Sequence, residues 1–462
     1  MSAAAADLAH AVPGELRALC QRIRKHGFAA WIVGGSVRDV MLGREVHDWD
    51  LATSATPQQI MKAFPRVVPT GIDHGTVTVL WQGASYEVTT LRGEGEYIDG
   101  RRPDRVFFVD SIEADLARRD FTINAIAYCP LEQRLIDPFG GEDDLHKQCI
   151  RAVGDAGQRF AEDGLRVLRA ARFAATLNMQ LDPATYKAIG TTLDTFAKVS
   201  CERVRDEWLK TMKATKPSRA FEIMRSTGML AIICPELLRS VGCTQNHYHG
   251  YDVWHHTMHC LDAYESSPED RLAALFHDIA KPHTRAWSAK TQDYTFYDHE
   301  KVGASMADQW LRQYRFANAQ RERITSLVRH HLIAYSSEWS DAAVRRFIQR
   351  VGEGCLDAQL ALAHADHSAK GPDEAADPQA DHLRELRERI HQLKQAPCAL
   401  RVSDLAISGR DLIDELKTKP GRHIGELLRT LLDEVIEEPA HNTRECLLAK
   451  AATLLPQEQR DA

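Results

Sequence analysis

Residues 31–53 read WIVGGSVRDVMLGREVHDWDLAT, and the order of residue types in that stretch decides the fold. A short apolar strand, Ala29–Val33, runs into Gly34-Gly35. Glycine tolerates the positive φ of a sharp turn and lets a phosphate come close to the backbone. A helix around Val37–Leu42 follows and carries Arg38. Free N–H groups at a helix start attract anions. Fifteen residues beyond Gly35 stands Asp50, with Asp48 two before it. Residues i and i+2 of a strand point to one face, so this spacing predicts that Asp48 and Asp50 project together. Two bare carboxylates side by side repel. A divalent cation makes the pair favourable, and hard oxygen donors on an open face suit Mg²⁺ carrying nucleotide phosphates. An isolated Asp-x-Asp is more often a solvated strand end; behind a strand, a Gly-Gly turn and a helix, chance is a poorer explanation.

Further runs rich in β-branched and aromatic residues, Val77–Trp81, Tyr86–Leu91 and Val106–Val109, read as strands. Gln82-Gly83 reads as the turn between the first two. With a helix near Pro13–His26, the first third reads as an α+β sheet of antiparallel strands with helices behind it. Glu87, on the strand SYEVTTLR, is the candidate third carboxylate; its alternation with Val88 fits a plain solvent-facing position equally well. In EADLARRDFTINAIAY, the adjacent Arg118 and Arg119 suit a bidentate clamp on a triphosphate, with Asp120 as a structural partner for one of them.

Beyond residue 150, apolar residues recur every three or four positions and strand signals vanish, so the remainder reads as helical. Within AEDGLRVLRAARF, Asp163, Arg166, Arg169 and Arg172 are spaced by three and fall on one helical stripe. A carboxylate that accepts beside a guanidinium that donates can read the edge of a base without a nucleic-acid template. The stretch Arg151–Arg225 holds 14 Lys or Arg against 9 Asp or Glu, a local basic surface on a chain whose net charge is −7. The polar, proline-containing Gly371–Asp381 reads as a linker. No apolar run is long enough to span a bilayer. Ten scattered cysteines with no CxxC pair, and no secretion signal, lead us to expect a cytoplasmic protein.

GGSVRD, DWD, RRDFTINA, DPFGG with DL, and EDGLRVLRAARF occur in that order. Together they resemble the class II tRNA nucleotidyltransferases (CCA-adding enzymes) and bacterial poly(A) polymerases. The resemblance is strong over Ala29–Arg225 and holds in outline beyond. It implies an α+β, polymerase-β-like head (residues 14–150), an all-α neck (151–225), a body (226–370) and a tail (382–462). It also implies Mg²⁺ at Asp48 and Asp50, nucleotide contacts from Gly35, Arg38, Arg119, Arg166, Arg169 and Arg172, and base reading by Asp163 with Arg166. Gly164 departs from the family, where many members have proline at this helix start. The implied reaction is addition of C, C and A from CTP and ATP to the 3′ end of tRNA. TGIDHGTVTVLW and the segment Arg92–Arg105, similar to the family's flexible loop, favour CCA addition; poly(A) and A-only addition stay open.

A second constellation, VWHHTMHCLD, RLAALFHDIAKPHTR, FYDHEKVGA, LVRHHL and HADHS, resembles an HD phosphohydrolase domain within the body. The resemblance implies His256, His277, Asp278 and Asp366 as core ligands. His299, with His330 or His331, would extend the site to two metals; His330 is the first choice. Such donors suit Mn²⁺, Ni²⁺ or Fe, with Mg²⁺ also accommodated. The rival readings are a protein that is chiefly an HD phosphohydrolase and a non-catalytic RNA-binding protein. An intact DWD and RRD set argues against both. Nothing in the sequence bears on oligomeric state.

Overall fold

The computed structural model describes residues 3–93, 107–371, 378–395 and 399–455. The chain divides into two compact units, Met1–Leu238 and Arg239–Ala462.

The first unit is built on a seven-stranded mixed sheet. Its first five strands are β1 (Ala30–Val33), β2 (Asp50–Thr53), β3 (Val67–Gly71), β4 (Thr76–Trp81) and β5 (Ala84–Thr90). The order across the sheet is β3-β4-β5-β2-β1, continued by Ala127–Cys129 and Arg134–Ile136. The pairings are antiparallel except one: β2 runs parallel to β5, so the sheet is mixed where the sequence suggested antiparallel strands throughout. Gln82 and Gly83 both take positive φ (49° and 87°), the geometry of a two-residue hairpin turn between β4 and β5. Val77, Val79, Tyr86 and Val88 alternate inward along that hairpin. The helix after the Gly-Gly turn spans Gly35–Met41. An N-terminal helix, Ala3–Ala11, unforeseen from sequence, packs against it.

The helix Leu165–Thr176 is the spine of the unit's helical part and packs against Cys201–Thr211 and Ser218–Ser226. Its neighbour carries Trp208, fully buried and edge-on to Phe221 at 5.1 Å between centroids.

The second unit is mainly helical. Strand signals do not vanish there entirely: Ala286–Ser288 and Asp293–Thr295 form a small antiparallel hairpin. Helix Val253–Ala263 packs on Leu356–Ser368 and on Arg271–Phe276. The last part has its own core, centred on Leu412, Leu431, Val435 and Ala451. Most of the suspected linker falls outside the described residues, and its end belongs to the helix Pro378–Gln395. The suspected flexible loop lies outside them from residue 94 onward. Among the described residues no helix is long and apolar enough to cross a membrane.

Candidate functional site

Asp50 is the first residue of β2, and its register partner on β5 is Glu87. Partners in a parallel pair share a face, so the two carboxylates point the same way. Both are exposed. Crowding by the surrounding protein, then the charges of Glu87 and Asp48, push the Asp50 carboxyl up, while Arg119 opposes them. Asp48 is not on the strand as the spacing predicted; it lies in the segment before β2 and acts on Asp50 from there.

Beside Asp50 opens a cleft of about 580 Å³. Gly35, Arg38, Arg119, Asp163, Arg166, Arg169 and Arg172, all anticipated from sequence, line it together. Its charged lining comprises nine basic side chains and three acidic ones, a strong excess suited to a polyanion.

Buried acids hold these arginines in place. Asp115 takes Arg118 at 2.5 Å and Arg119 at 3.1 Å, so it, and not Asp120, anchors the Arg-Arg pair. Asp120 instead holds Arg169 at 2.6 Å and accepts from Asn124 at 3.0 Å. The Asn124 carbonyl oxygen Oδ1 in turn accepts from Arg38 at 2.6 Å. Burial would raise the Asp120 carboxyl, but Arg169, Asn124 and Arg166 outweigh it and hold it at about 2. Glu207, fully buried, takes Arg172 at 2.5 Å and Lys210 at 3.1 Å. A Cβ on Gly34 would lie 2.7 Å from Arg119 Nη1, so that glycine leaves the room the guanidinium occupies.

Asp163 departs from the helical stripe. It sits between two helices with φ −143°, and the helix of the arginines begins at Leu165. Its Oδ2 is held at 2.7 Å by Arg203, not by Arg166. Arg166 donates to Glu162 at 2.5 Å and to the backbone carbonyls of Arg159 and Arg118. Gly164 is packed so tightly that a Cβ would come within 2.5–2.7 Å of Thr195 and Phe196 backbone atoms.

Arg203, Glu207, Lys210 and Phe173 were not picked out from sequence. The first three sit at four- and three-residue intervals on Cys201–Thr211, which the sequence marked only as part of the helical, locally basic stretch Arg151–Arg225. Phe173 ends the quoted motif and stacks under Arg172, 3.9 Å from guanidinium to ring centroid.

In the second unit, His256, His277 and Asp278 form one buried group of metal-donor atoms, and Asp278, His299 and His331 form another. Within each group the atoms lie within 4.8 Å of one another, and among the described residues these are the groups of three that close so tightly. Asp366 Oδ1 stands 2.9 Å from His256 Nε2. The second histidine of the pair is therefore His331 and not the first choice, His330. His331 is buried with its Nε2 3.3 Å from that of His299, whereas His330 is half-buried and joins neither group. Burial opposes charge on His277, yet the neighbouring Asp278 and Asp366 carboxylates push its imidazole up from the ordinary histidine value. A cavity of about 490 Å³ opens onto Asp278, Lys281, Tyr297, His299, His331 and Asp366.

A mixed sheet bearing acids at one edge of an arginine-lined cleft defines a nucleotidyltransferase. The Poly A polymerase head domain family matches residues 30–151, the probable RNA- and SrmB-binding site of polymerase A matches 178–240, and the putative tRNA nucleotidyltransferase domain 2 matches 283–451. The chain belongs to the CCA-adding enzyme family: it is 34% identical to the CCA-adding enzyme of Levilactobacillus brevis over 94% of its own length and 96% of that protein's. It is 50% identical to the Lactobacillus gasseri CCA-adding enzyme over 209 residues, 45% of this chain and about half (52%) of that relative. The crystal structure of the Bacillus stearothermophilus CCA-adding enzyme in complex with CTP is 28% identical, with a TM-score of 0.72 over 95% of this chain and 96% of that one.

Proposed function

We propose that this chain adds C, C and A to the 3′ end of tRNA, taking CTP and ATP as substrates without a template. The observation that carries the reading is the Asp50–Glu87 pairing at the edge of a cleft lined by arginines and by Asp163. Asp48, Asp50 and Glu87 offer only oxygen donors on an exposed face, a set that fits Mg²⁺. A divalent ion bound there supplies the positive charge that activates the terminal hydroxyl and steadies the departing pyrophosphate. The rest falls to side chains. Arg38 and Arg119, fixed by Asn124 and Asp115, neutralise the triphosphate. Arg169 and Arg172, fixed by Asp120 and Glu207, supply the cleft's far wall. Asp163 accepts from, and Arg166 donates to, the base edge. On the Watson–Crick edge, C and A each present an exocyclic amine beside a ring nitrogen acceptor, whereas U has no amine and the amine of G lies beside an N–H donor.

The test is direct. Purified protein with Mg²⁺ is given tRNA transcripts ending before C, after C and after CC, with CTP and ATP offered separately. Completed CCA ends support the proposal; A added only after CC, or a long A tract, would replace it with one of the sister activities. Asp48→Ala and Asp50→Ala should each abolish addition.

The clustering of His256, His277, Asp278, His299, His331 and Asp366 supports a second reading for the other unit, a metal-dependent phosphohydrolase using Mn²⁺, Ni²⁺, Fe or Mg²⁺. Chelator-stripped protein reloaded with each ion should hydrolyse bis(p-nitrophenyl) phosphate. His277→Ala and Asp278→Ala should remove that hydrolysis and leave nucleotide addition intact. A reloaded protein with no hydrolysis would end this second reading.

A further inference from the structure

Eight of the nine basic side chains that line the first unit's cleft are tied to a carboxylate within 3.1 Å. Arg92 is the ninth. Among the described residues no carboxylate pairs with its guanidinium, and its Nε is closed off from solvent without a hydrogen-bond partner. A polar donor buried without a partner is costly, and more so when it carries charge. Burial and then Arg118 pull this guanidinium down to about 10, with Asp115 and Glu87 acting against them. It is still charged at neutral pH. The cleft therefore holds a cation whose anion the described residues do not supply.

The backbone beneath it is fixed. The Arg92 N–H donates to Asp115 Oδ1 at 3.1 Å, and its carbonyl accepts from Arg118 Nε at 3.0 Å. Asp115 is the same buried carboxylate that anchors Arg118 and Arg119. The root of the side chain is thus set by the groups that build the cleft, and the guanidinium is left to meet a ligand.

The sheet order decides which anion it meets. β2 carries Asp50 and lies between β1 and β5. On one side, β1 leads into Gly34-Gly35 and Arg38, where the triphosphate is received. On the other side stands Glu87 of β5; Arg92 follows the end of that strand by two residues and feels the Glu87 charge. In phosphoryl transfer the attacking and leaving oxygens stand roughly in line across the phosphorus. Pyrophosphate leaves toward the Arg38 side, so the attacking hydroxyl comes from the Glu87 side. We propose that Arg92 receives a non-bridging oxygen of the phosphodiester joining the last two nucleotides of the RNA, and so holds the attacking terminus in place. This assignment rests on the nucleotide-addition reading above. The same phosphate oxyanion chemistry is offered by the triphosphate, so the test separates the two sources.

The RNA is a tRNA ending before the first C, and the same RNA with its last phosphodiester replaced by an uncharged methylphosphonate. Addition of one C is measured over ranges of RNA and of CTP, with the parent, Arg92→Met and Arg92→Lys. A hydrogen bond to a charged group sets the scale: Arg92→Met should raise the KM for ordinary RNA by roughly 10- to 100-fold and leave the KM for CTP within about twofold. Arg92→Lys keeps the charge without the planar fork and should recover part of the loss. The methylphosphonate should cost the parent a similar factor and cost Arg92→Met little more, because the contact is already gone. Circular dichroism checks that both variants are folded, and the parent's response to methylphosphonate needs no variant. A methylphosphonate penalty equal in parent and Arg92→Met would overturn the assignment. So would a raised KM for CTP with the KM for RNA unmoved, which gives Arg92 to the triphosphate. A parent that adds no C to ordinary RNA removes the addition reading itself.

Discussion

Asp50 is the register partner of Glu87 across the parallel junction of β2 and β5, and the Glu87 carboxylate raises the cost of charging Asp50. Glu87→Gln keeps the shape and removes one charge. Addition should fall by roughly 10- to 100-fold, the usual effect of losing a group that supports a metal site. The same change withdraws one of the influences that push Asp50 up, so the acid limb of the kcat/KM profile should move to lower pH. A variant with parent-like rate and an unmoved acid limb would show that Glu87 is a solvent-facing residue and nothing more.

How far these pairings can be read from sequence depends on how local they are. The Gly-Gly turn, the hairpin at Gln82-Gly83 and the arginine stripe are set by short-range spacing, and the structure keeps all three. The parallel junction is not local: β2 and β5 are more than thirty residues apart, and only the assembled sheet puts Glu87 opposite Asp50. Asp163 joined the stripe by its spacing of three, but the helix starts after Gly164, and its real partner Arg203 lies forty residues on. His330 and His331 are neighbours at a helix end, about 100° apart around its axis, and only packing decides which one turns inward.

Gly164 should not accept a side chain. A Cβ there meets backbone atoms of Thr195 and Phe196, which cannot rotate away as a flexible side chain would. Gly164→Ala should cost about 1–3 kcal/mol through overpacking. Thermal unfolding should record this as a melting temperature lower by several degrees. A melting temperature equal to the parent's would mean that the segment around Phe196 yields easily.

The Asp120–Arg169 pair should make stability acid-sensitive. The Asp120 carboxyl is held at about 2, below the ordinary value near 3.9 for a free aspartate. Its contribution is complete above about pH 4 and is lost as pH falls through about 2. The shift corresponds to a contribution on the order of 2 kcal/mol at neutral pH. Asp120→Asn should therefore be less stable than the parent in urea at pH 7, and the gap should narrow steadily below pH 4. A gap that stays constant down to pH 2 would place the variant's cost in lost packing and not in charge.

The contact between Arg203 and Asp163 bears on base choice. Oδ2 of Asp163 is tied to Arg203 at 2.7 Å, and Oδ1 accepts the Leu165 N–H at 3.0 Å. Both bonds fix the carboxylate plane at the lip of the cleft, so the acceptor is aimed before a nucleotide arrives. Arg203→Met keeps most of the side-chain length and removes the donor. Asp163 then turns freely, and the ordering that Arg203 had supplied must come from the nucleotide. A discriminating hydrogen bond is worth about 1–3 kcal/mol, so preference for CTP and ATP over UTP and GTP should fall by roughly 10- to 100-fold. The loss should appear mainly as a higher KM for CTP and ATP, because the acids at Asp50 and Glu87 are untouched. Single-nucleotide addition assays with each of the four triphosphates separate the outcomes. Equal loss with all four would mean that Arg203 only stabilises the helix pair, and selectivity would then have to be sought in Arg166 alone.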